Sequence, residues 1–248
     1  MGTIFEKSHV PLRLWLQAMY LMASSKKGVS SNQLHRTLGV TLKTAWFMSH
    51  RIREAMRTGD LVPFGVNGGD VESDETFLWN EPGAEIKTGT GHKRKVLALI
   101  DRDTQTAKSF VVDSINAKTL VPILKENIDK EARMLTDEAG QYKYLKDGFA
   151  DHRVVCHRRG EYVSAEDKGI HVNCCENFFS IFKRGMKGVY QHCAKHHLHR
   201  YLAEFDFRYN NRCGKGIEDV QRAEILLRGV IGRRLTYQTT NQQSGVFE

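Results

Sequence analysis

The spacing of apolar positions changes along the chain, and the change divides it. Residues 12–24, LRLWLQAMYLMAS, carry apolar side chains at helical spacing. After the break Lys26-Lys27-Gly28, Ser30 or Ser31 can cap a short helix through Leu38, and Gly39 suits the left-handed turn that ends such a helix. Thr41 can cap a second helix running to about Arg57. Helix, Gly-containing turn, helix is the helix-turn-helix pattern, although helical bundles that touch no DNA share it. The second helix offers Lys43, Thr44, His50, Arg51 and Arg53 as a polar and basic surface. Residues 58–69, TGDLVPFGVNGG, are rich in Gly and read as a linker.

From residue 70 the pattern becomes that of strands. DVESDETFLW alternates in part, KVLALID at 95–101 is a short apolar run suited to a buried strand, and TAKSFVVD at 106–113 follows a turn at residues 101–104. An amphipathic helix is expected at 117–128, a strand at 132–138, a helix at 141–149 and a strand at 152–157. Residues from about Val172 to Arg212 read as helical again, as VNCCENFFSIFKRGMKGV, a turn, then AKHHLHRYLAEFDFRYNNR; a last helix covers Glu218–Leu227, and the tail from Thr236 is polar. Three antiparallel strands, helix, strand, helix, strand, helix is the element order of a ribonuclease-H-like domain: an α/β fold with a mixed five-stranded sheet and flanking helices. The expected organisation is a small all-α helix-turn-helix domain at 1–60, a catalytic domain at 70–213, and a C-terminal helix and tail at 214–248.

Element order alone carries no function. The acids give it chemical content. In this order the first strand, the fourth strand and the last long helix converge, and each holds acids. Glu72 and Asp74 share one face of the first strand and Glu75 the other. The fourth strand ends in Asp137-Glu138, and the helix after the fifth strand carries Glu176. Converging carboxylates raise one another's pKa, and a divalent cation relieves the repulsion. Hard oxygen donors suit Mg²⁺. Two such ions activate an attacking oxygen and stabilise a leaving oxygen in phosphoryl transfer. Lys183 lies seven residues after Glu176, nearly two helical turns, and so faces the same side. Taken singly, each acid is more simply a solvated surface group; only their joint placement favours a site.

Charge supports a polyanionic partner. The 248 residues contain 37 Lys plus Arg and 29 Asp plus Glu, a formal net charge of +8. No apolar run approaches the roughly 20 residues that span a bilayer, and the first residues lack a signal-peptide pattern, so no membrane association is expected. The 5 cysteines are odd in number and form no CxxC pair, which argues against a disulfide framework or structural zinc and suits a reducing cytoplasm.

The blocks GTIFEKSHVPLRLWL, LGVTLKTAWFMSHRIREAM, VESDETF, LTDE, HVNCCENFFSIFKRGMKGVYQH and HHLHRYLAEFDFRYNNR, in that order, span residues 2 to about 212. Together they resemble DDE-type insertion-sequence transposases, in the branch whose longer members begin with a zinc ribbon and a helix-turn-helix. The resemblance implies a ribonuclease-H-like catalytic domain. It also implies dependence on Mg²⁺ or Mn²⁺, with two ions, and the cutting and joining of transposon ends. It further implies transposon-end and target DNA as partners, a homo-oligomer assembled on DNA, and a bacterial, cytoplasmic, nucleoid-associated setting. By resemblance Asp74, Asp137 and Glu176 are the catalytic acids and metal ligands, with Lys183 as basic companion. Asn173, three residues before Glu176, is an alternative ligand or a neighbour. The DNA-contacting set is Lys43, Thr44, Arg51, Arg53, His157, Arg184 and Lys187. No CxxC pair stands ahead of the helix-turn-helix, so this sequence does not contain the zinc ribbon of the longer members.

Two readings compete: a structure-selective, metal-dependent nuclease of the same fold, and an inactive helix-turn-helix remnant that only binds DNA. Smaller features have simpler explanations. His192 and His196 are one helical turn apart, as in zinc sites, but they also suit a DNA-facing surface with His197, His199, Lys195 and Arg200. Cys174-Cys175 are either reactive thiols or small buried apolar residues.

Overall fold

The computed structural model describes residues 2–57, 59, 61–81, 83–86, 88–145, 148–156, 163 and 167–235. The chain begins with α1 (Leu12–Ser24), α2 (Ser31–Leu38) and α3 (Leu42–Met56). The capping residues are those the sequence singles out. The Ser30 side chain accepts from the Gln33 N–H, and the Thr41 side chain accepts from the Thr44 N–H. Gly39 closes α2 at φ 67°, a left-handed conformation that suits a residue without Cβ.

Strands β1 (Asp70–Asn80), β2 (Lys93–Asp101) and β3 (Thr106–Val112) form an antiparallel meander. Helix α4 (Ala117–Asn127) then returns the chain to β4 (Arg133–Asp137), which pairs parallel to β1. Strand β5 (Asp151–Val155) pairs parallel to β4, giving the sheet order β3-β2-β1-β4-β5. The observed sheet is the mixed five-stranded one expected. Strand β2 is buried on both faces, which explains its continuous apolar run. Val96, Ala98 and Ile100 face one layer, while Leu97 and Leu99 face the other.

On one face, α5 (Asn173–Gly185) and α6 (Leu198–Asn210) cover the sheet with Phe178, Phe179, Phe182, Leu202 and Phe205. On the other, α4 contributes Leu120 and Leu124, joined by Tyr142 and Leu145. The helix expected at 141–149 is only a 3₁₀ segment, Gly140–Leu145. Its buried anchors, Tyr142 and Leu145, are three residues apart, the repeat of a 3₁₀ turn rather than of an α-helix. The expected end of the fifth strand, His157, and the tail from Thr236 lie outside the described residues.

The Gly-rich stretch after α3 is anchored rather than free. Phe64 is buried in the α4-side core and bridges to Ile128. At Gly65, φ is 73° and a Cβ would stand 2.4 Å from the Ala132 side chain, so only glycine fits without displacement. The final helix α7 (Asp219–Arg228) packs on α1, and Leu226 and Val230 join the same core as Trp15, Met22 and Ile52.

Candidate active site

The register of β1 with β4 builds the centre of the site. Their last ladder pair is Glu72 with Leu135. Asp74 and Asp137 lie two residues beyond that pair on neighbouring parallel strands, and even spacing keeps both on the face that carries α5. Alternation along β1 is as expected: Glu72 turns to α5, while Ser73 and Glu75 turn the other way and meet the Tyr142 hydroxyl at 3.1 and 2.6 Å. Asp74 Oδ1 accepts from the Glu75 N–H at 2.8 Å, and Asp137 Oδ1 accepts from the Ala139 N–H at 3.0 Å.

Both aspartates act on Glu75. Burial, first, raises the Glu75 pKa, and the charges of Asp74 and Asp137 raise it further. Hydrogen bonds from Tyr142 and Gln141 oppose the rise, and the result is a carboxyl pushed up to about 7. Lys183 on α5 also feels Asp74. Burial and Lys187 lower the Lys183 pKa, while Asp74 works in the opposite direction. Asp74, Asp137 and Lys183 are therefore brought to one region.

Glu176 sits in the first turn of α5 with an exposed side chain, and Asn173, half-buried, is the helix's first residue. Among the described residues, no three His, Cys, Asp or Glu side chains stand as a ready-made metal-binding group. Glu176 thus does not close a three-acid cage with the two aspartates here. The Asp74–Asp137 pair remains a donor set of hard oxygens, which suits Mg²⁺ or Mn²⁺, ions bound by one or two carboxylates with retained waters. It does not suit zinc, which prefers nitrogen and sulfur.

Glu72 was grouped with the acids by its face, but it is committed elsewhere. Its side chain is 0% exposed and ion-paired with Arg102 at 2.7 Å. Its second oxygen accepts from the N–H groups of Cys174 and Cys175. No local sequence signal marks this role, because the acid and the helix it caps are about a hundred residues apart. Burial, and after it the same acid, push Cys174 up to about 11 and Cys175, fully buried, well above its ordinary value. Neither is a reactive thiolate; Cys175 belongs to the apolar core.

The expected DNA-facing set divides in two. Lys43, Arg184 and Lys187 are exposed, and Thr44 is half-buried at the start of α3. Arg51 and Arg53 are not surface residues. Arg51 donates to the carbonyls of Ile4, Glu6 and Leu235, while Arg53 pairs with Glu204 at 2.7 Å. The last turns of α3 are buried among other helices, so helical spacing alone put both on the wrong side. His157 lies outside the described residues. The accessible start of α3 and the start of α2 border a groove of about 840 Å³, closed opposite by Gly188–His192.

The histidines do not form a zinc site. The chain between His192 and Ala194 is not helical, which breaks the one-turn spacing of His192 and His196. His197 instead packs on Trp46 and His50, at 5.5 and 4.7 Å between ring centroids. Burial and neighbouring cationic groups lower His197 to about 4 and His50 to about 2.

A mixed sheet of order β3-β2-β1-β4-β5 with helices on both faces is a ribonuclease-H-like fold, as in transposases. Residues 66–210, more than half of the chain, match the ISXO2-like transposase domain, and the chain belongs to that family of insertion-sequence transposases. It is 27% identical, over 223 residues, to an uncharacterized protein in transposable element ISH50 of Halobacterium salinarum, covering 84% of this chain and 72% of that one. Among solved structures, it shares 10% identity and a TM-score of 0.37 with a simian T-cell lymphotropic virus intasome in complex with PP2A regulatory subunit B56 gamma, covering 94% of this chain and 79% of that one. A piggyBac transposase synaptic complex with hairpin DNA gives 10% identity and a TM-score of 0.36, covering 93% and 72%. Among the described residues, no helix is long and apolar enough to cross a membrane.

Proposed function

We propose that this transposase cuts DNA at the ends of its element and joins the freed 3′-OH to target DNA at the Asp74–Asp137 site. The observation that carries the proposal is the placement of these two carboxylates on adjacent parallel strands, with Lys183 within electrostatic reach of Asp74. Asp74 and Asp137, joined by Glu176 or Asn173 from α5, would hold Mg²⁺ or Mn²⁺, which when bound would activate the attacking oxygen and stabilise the leaving one. The aspartates sit on strands in a packed sheet, which fixes their positions better than loops do. Lys183 gives its ammonium to the phosphate under attack. Lys43 and Thr44 at the start of α3, Arg184 at the end of α5 and Lys187 just after it bind the backbone. Such phosphate contacts make affinity fall with salt.

A strand-transfer assay tests this reading. A pre-cut element end with a free 3′-OH is incubated with a target plasmid and Mg²⁺. Covalent joining supports the transposase chemistry. Cleavage of an uncut end with no joining of the pre-cut one would reduce the protein to a nuclease. DNA binding with neither would leave it a binding protein.

A further inference from the structure

We propose that Glu72 and Arg102 form a positioning clamp that fixes the start of α5 against β1 and so sets where Glu176 and Lys183 stand relative to Asp74. The proposal rests on the reading of Asp74 as a site acid and adds residues to it.

A helix begins with N–H groups that have no partner inside the helix. In α5 each one is accounted for. The Asn173 N–H reaches His171 Nδ1 at 3.3 Å. The Cys174 and Cys175 N–H groups reach Glu72 Oε2 at 2.8 and 3.0 Å. The Glu176 N–H is the first to find a backbone partner, the Val172 carbonyl at 3.1 Å. The carboxylate that caps α5 therefore comes from the central strand, two residues before Asp74, and not from the adjoining loop. A carboxylate at a helix N-terminus also interacts favourably with the helix dipole.

Arg102, directly after β2, is the other jaw. Its Nε donates to Glu72 Oε1 at 2.7 Å. Its Nη1 donates to the Gly169 carbonyl at 2.5 Å, and Nη2 to the His171 carbonyl at 2.7 Å. One guanidinium thus holds both the strand acid and the segment that leads into α5. Charge-assisted bonds of this kind are short and directional. Glu176 follows Cys175 directly, and Lys183 lies on the same helix, so a shift of the first turn moves both. Misplacement of about 1 Å costs on the order of 100-fold in rate.

The test uses the full chain with Glu72→Gln, Arg102→Lys and Asp74→Asn. Glu72→Gln keeps the shape but turns an –NH₂ group toward either Arg102 or the helix amides, a clash of donors. Thermal unfolding establishes which variants are folded; if Glu72→Gln does not fold, Arg102→Lys carries the test. Folded clamp variants are expected to exchange the amide hydrogens of Cys174 and Cys175 at least about 10-fold faster without metal. Mn²⁺ affinity, read by electron paramagnetic resonance, is expected to weaken by about 10-fold or more, as for outer-shell partners of metal sites. Cleavage should slow by about 10–100-fold with DNA affinity unchanged. A purely structural cap would alter exchange and thermal stability alone, so wild-type Mn²⁺ affinity and cleavage in a folded clamp variant would overturn the proposal. Unchanged exchange would overturn it as well. Asp74→Asn separates the two readings: wild-type Mn²⁺ affinity and cleavage in that variant sink the site assignment itself.

Discussion

Arg53 on α3 and Glu204 on α6 form an ion pair at 2.7 Å with side chains 1% and 0% exposed. Tyr190 and Arg208 each donate to the second Glu204 oxygen at 2.5 Å, and the Arg53 guanidinium lies over the rings of Tyr190 and Tyr201. Burial would raise the Glu204 pKa, but Arg208 and Arg53 outweigh it and hold it below its ordinary value. The pair ties α3 to the helix layer of the sheet. Removing one partner of a buried pair strands the other, so Arg53→Ala is expected to cost about 3–5 kcal/mol of stability. Denaturant unfolding measures the loss. At temperatures where the variant stays folded, the salt dependence of DNA binding should match the wild type.

Lys43→Ala should do the reverse. Lys43 is exposed at the start of α3, beside the groove between α2, α3 and residues 188–192. Its loss should leave stability within about 0.5 kcal/mol. DNA affinity should fall, and the slope of log K against log salt should shrink by about 1. Fluorescence anisotropy over a salt series reads both, and an unchanged slope would remove Lys43 from the phosphate contacts.

The acids of the site should separate binding from chemistry. Asp74→Asn and Asp137→Asn should each lower end cleavage by at least about 1000-fold while DNA binding persists, because phosphoryl transfer relies on electrostatic stabilisation at the reacting atoms. Glu176→Gln tests the third position, and Asn173→Ala should be milder. Gel assays of cleavage beside filter binding decide it; a larger loss in Asn173→Ala than in Glu176→Gln exchanges their roles.

Asp206 gives a pH-dependent stability. It is fully buried, and its oxygens accept from the Ser109 N–H at 3.0 Å and hydroxyl at 2.7 Å. Burial raises its pKa to about 7, against the two bonds from Ser109 and the charge of Lys108. A carboxyl protonated more readily when folded favours the folded state at low pH. That advantage is complete below the unfolded value near 4 and lost as pH rises to about 7. Glu75, also pushed up to about 7, adds to the same trend. Asp206→Asn should therefore flatten the fall in melting temperature between about pH 4 and 7, with a gain over wild type above pH 7 of up to about 4 kcal/mol. A parallel fall in both proteins would show that Asp206 does not cause it.

Most of the fold was legible in the sequence because its signals are local. The capping residues Ser30 and Thr41, the Gly39 turn, the apolar run of β2 and the alternation of Glu72, Asp74 and Glu75 each depend on neighbours along the chain. The helix expected at 141–149 failed because packing of Tyr142 and Leu145 favoured a tighter turn. His192 and His196 lie on either side of the turn expected between the two helices, so the helical spacing assigned to them does not apply.

The sequence by itself determined the element order, the caps and which acids share a face, since these follow from backbone period and side-chain chemistry over a few residues. Only the tertiary structure decided which charges are buried in ion pairs. Arg53 and Arg51 are basic residues on a helix whose outer face could be guessed but whose buried neighbours could not. Glu72 and Asp74 are equivalent by alternation, yet Glu72 is paired with Arg102 and caps the first turn of α5, a role that alternation does not distinguish. The physical reason is that the burial and pairing of a charge depend on partners brought from far along the chain, and those contacts exist only once the sheet and its helices have packed.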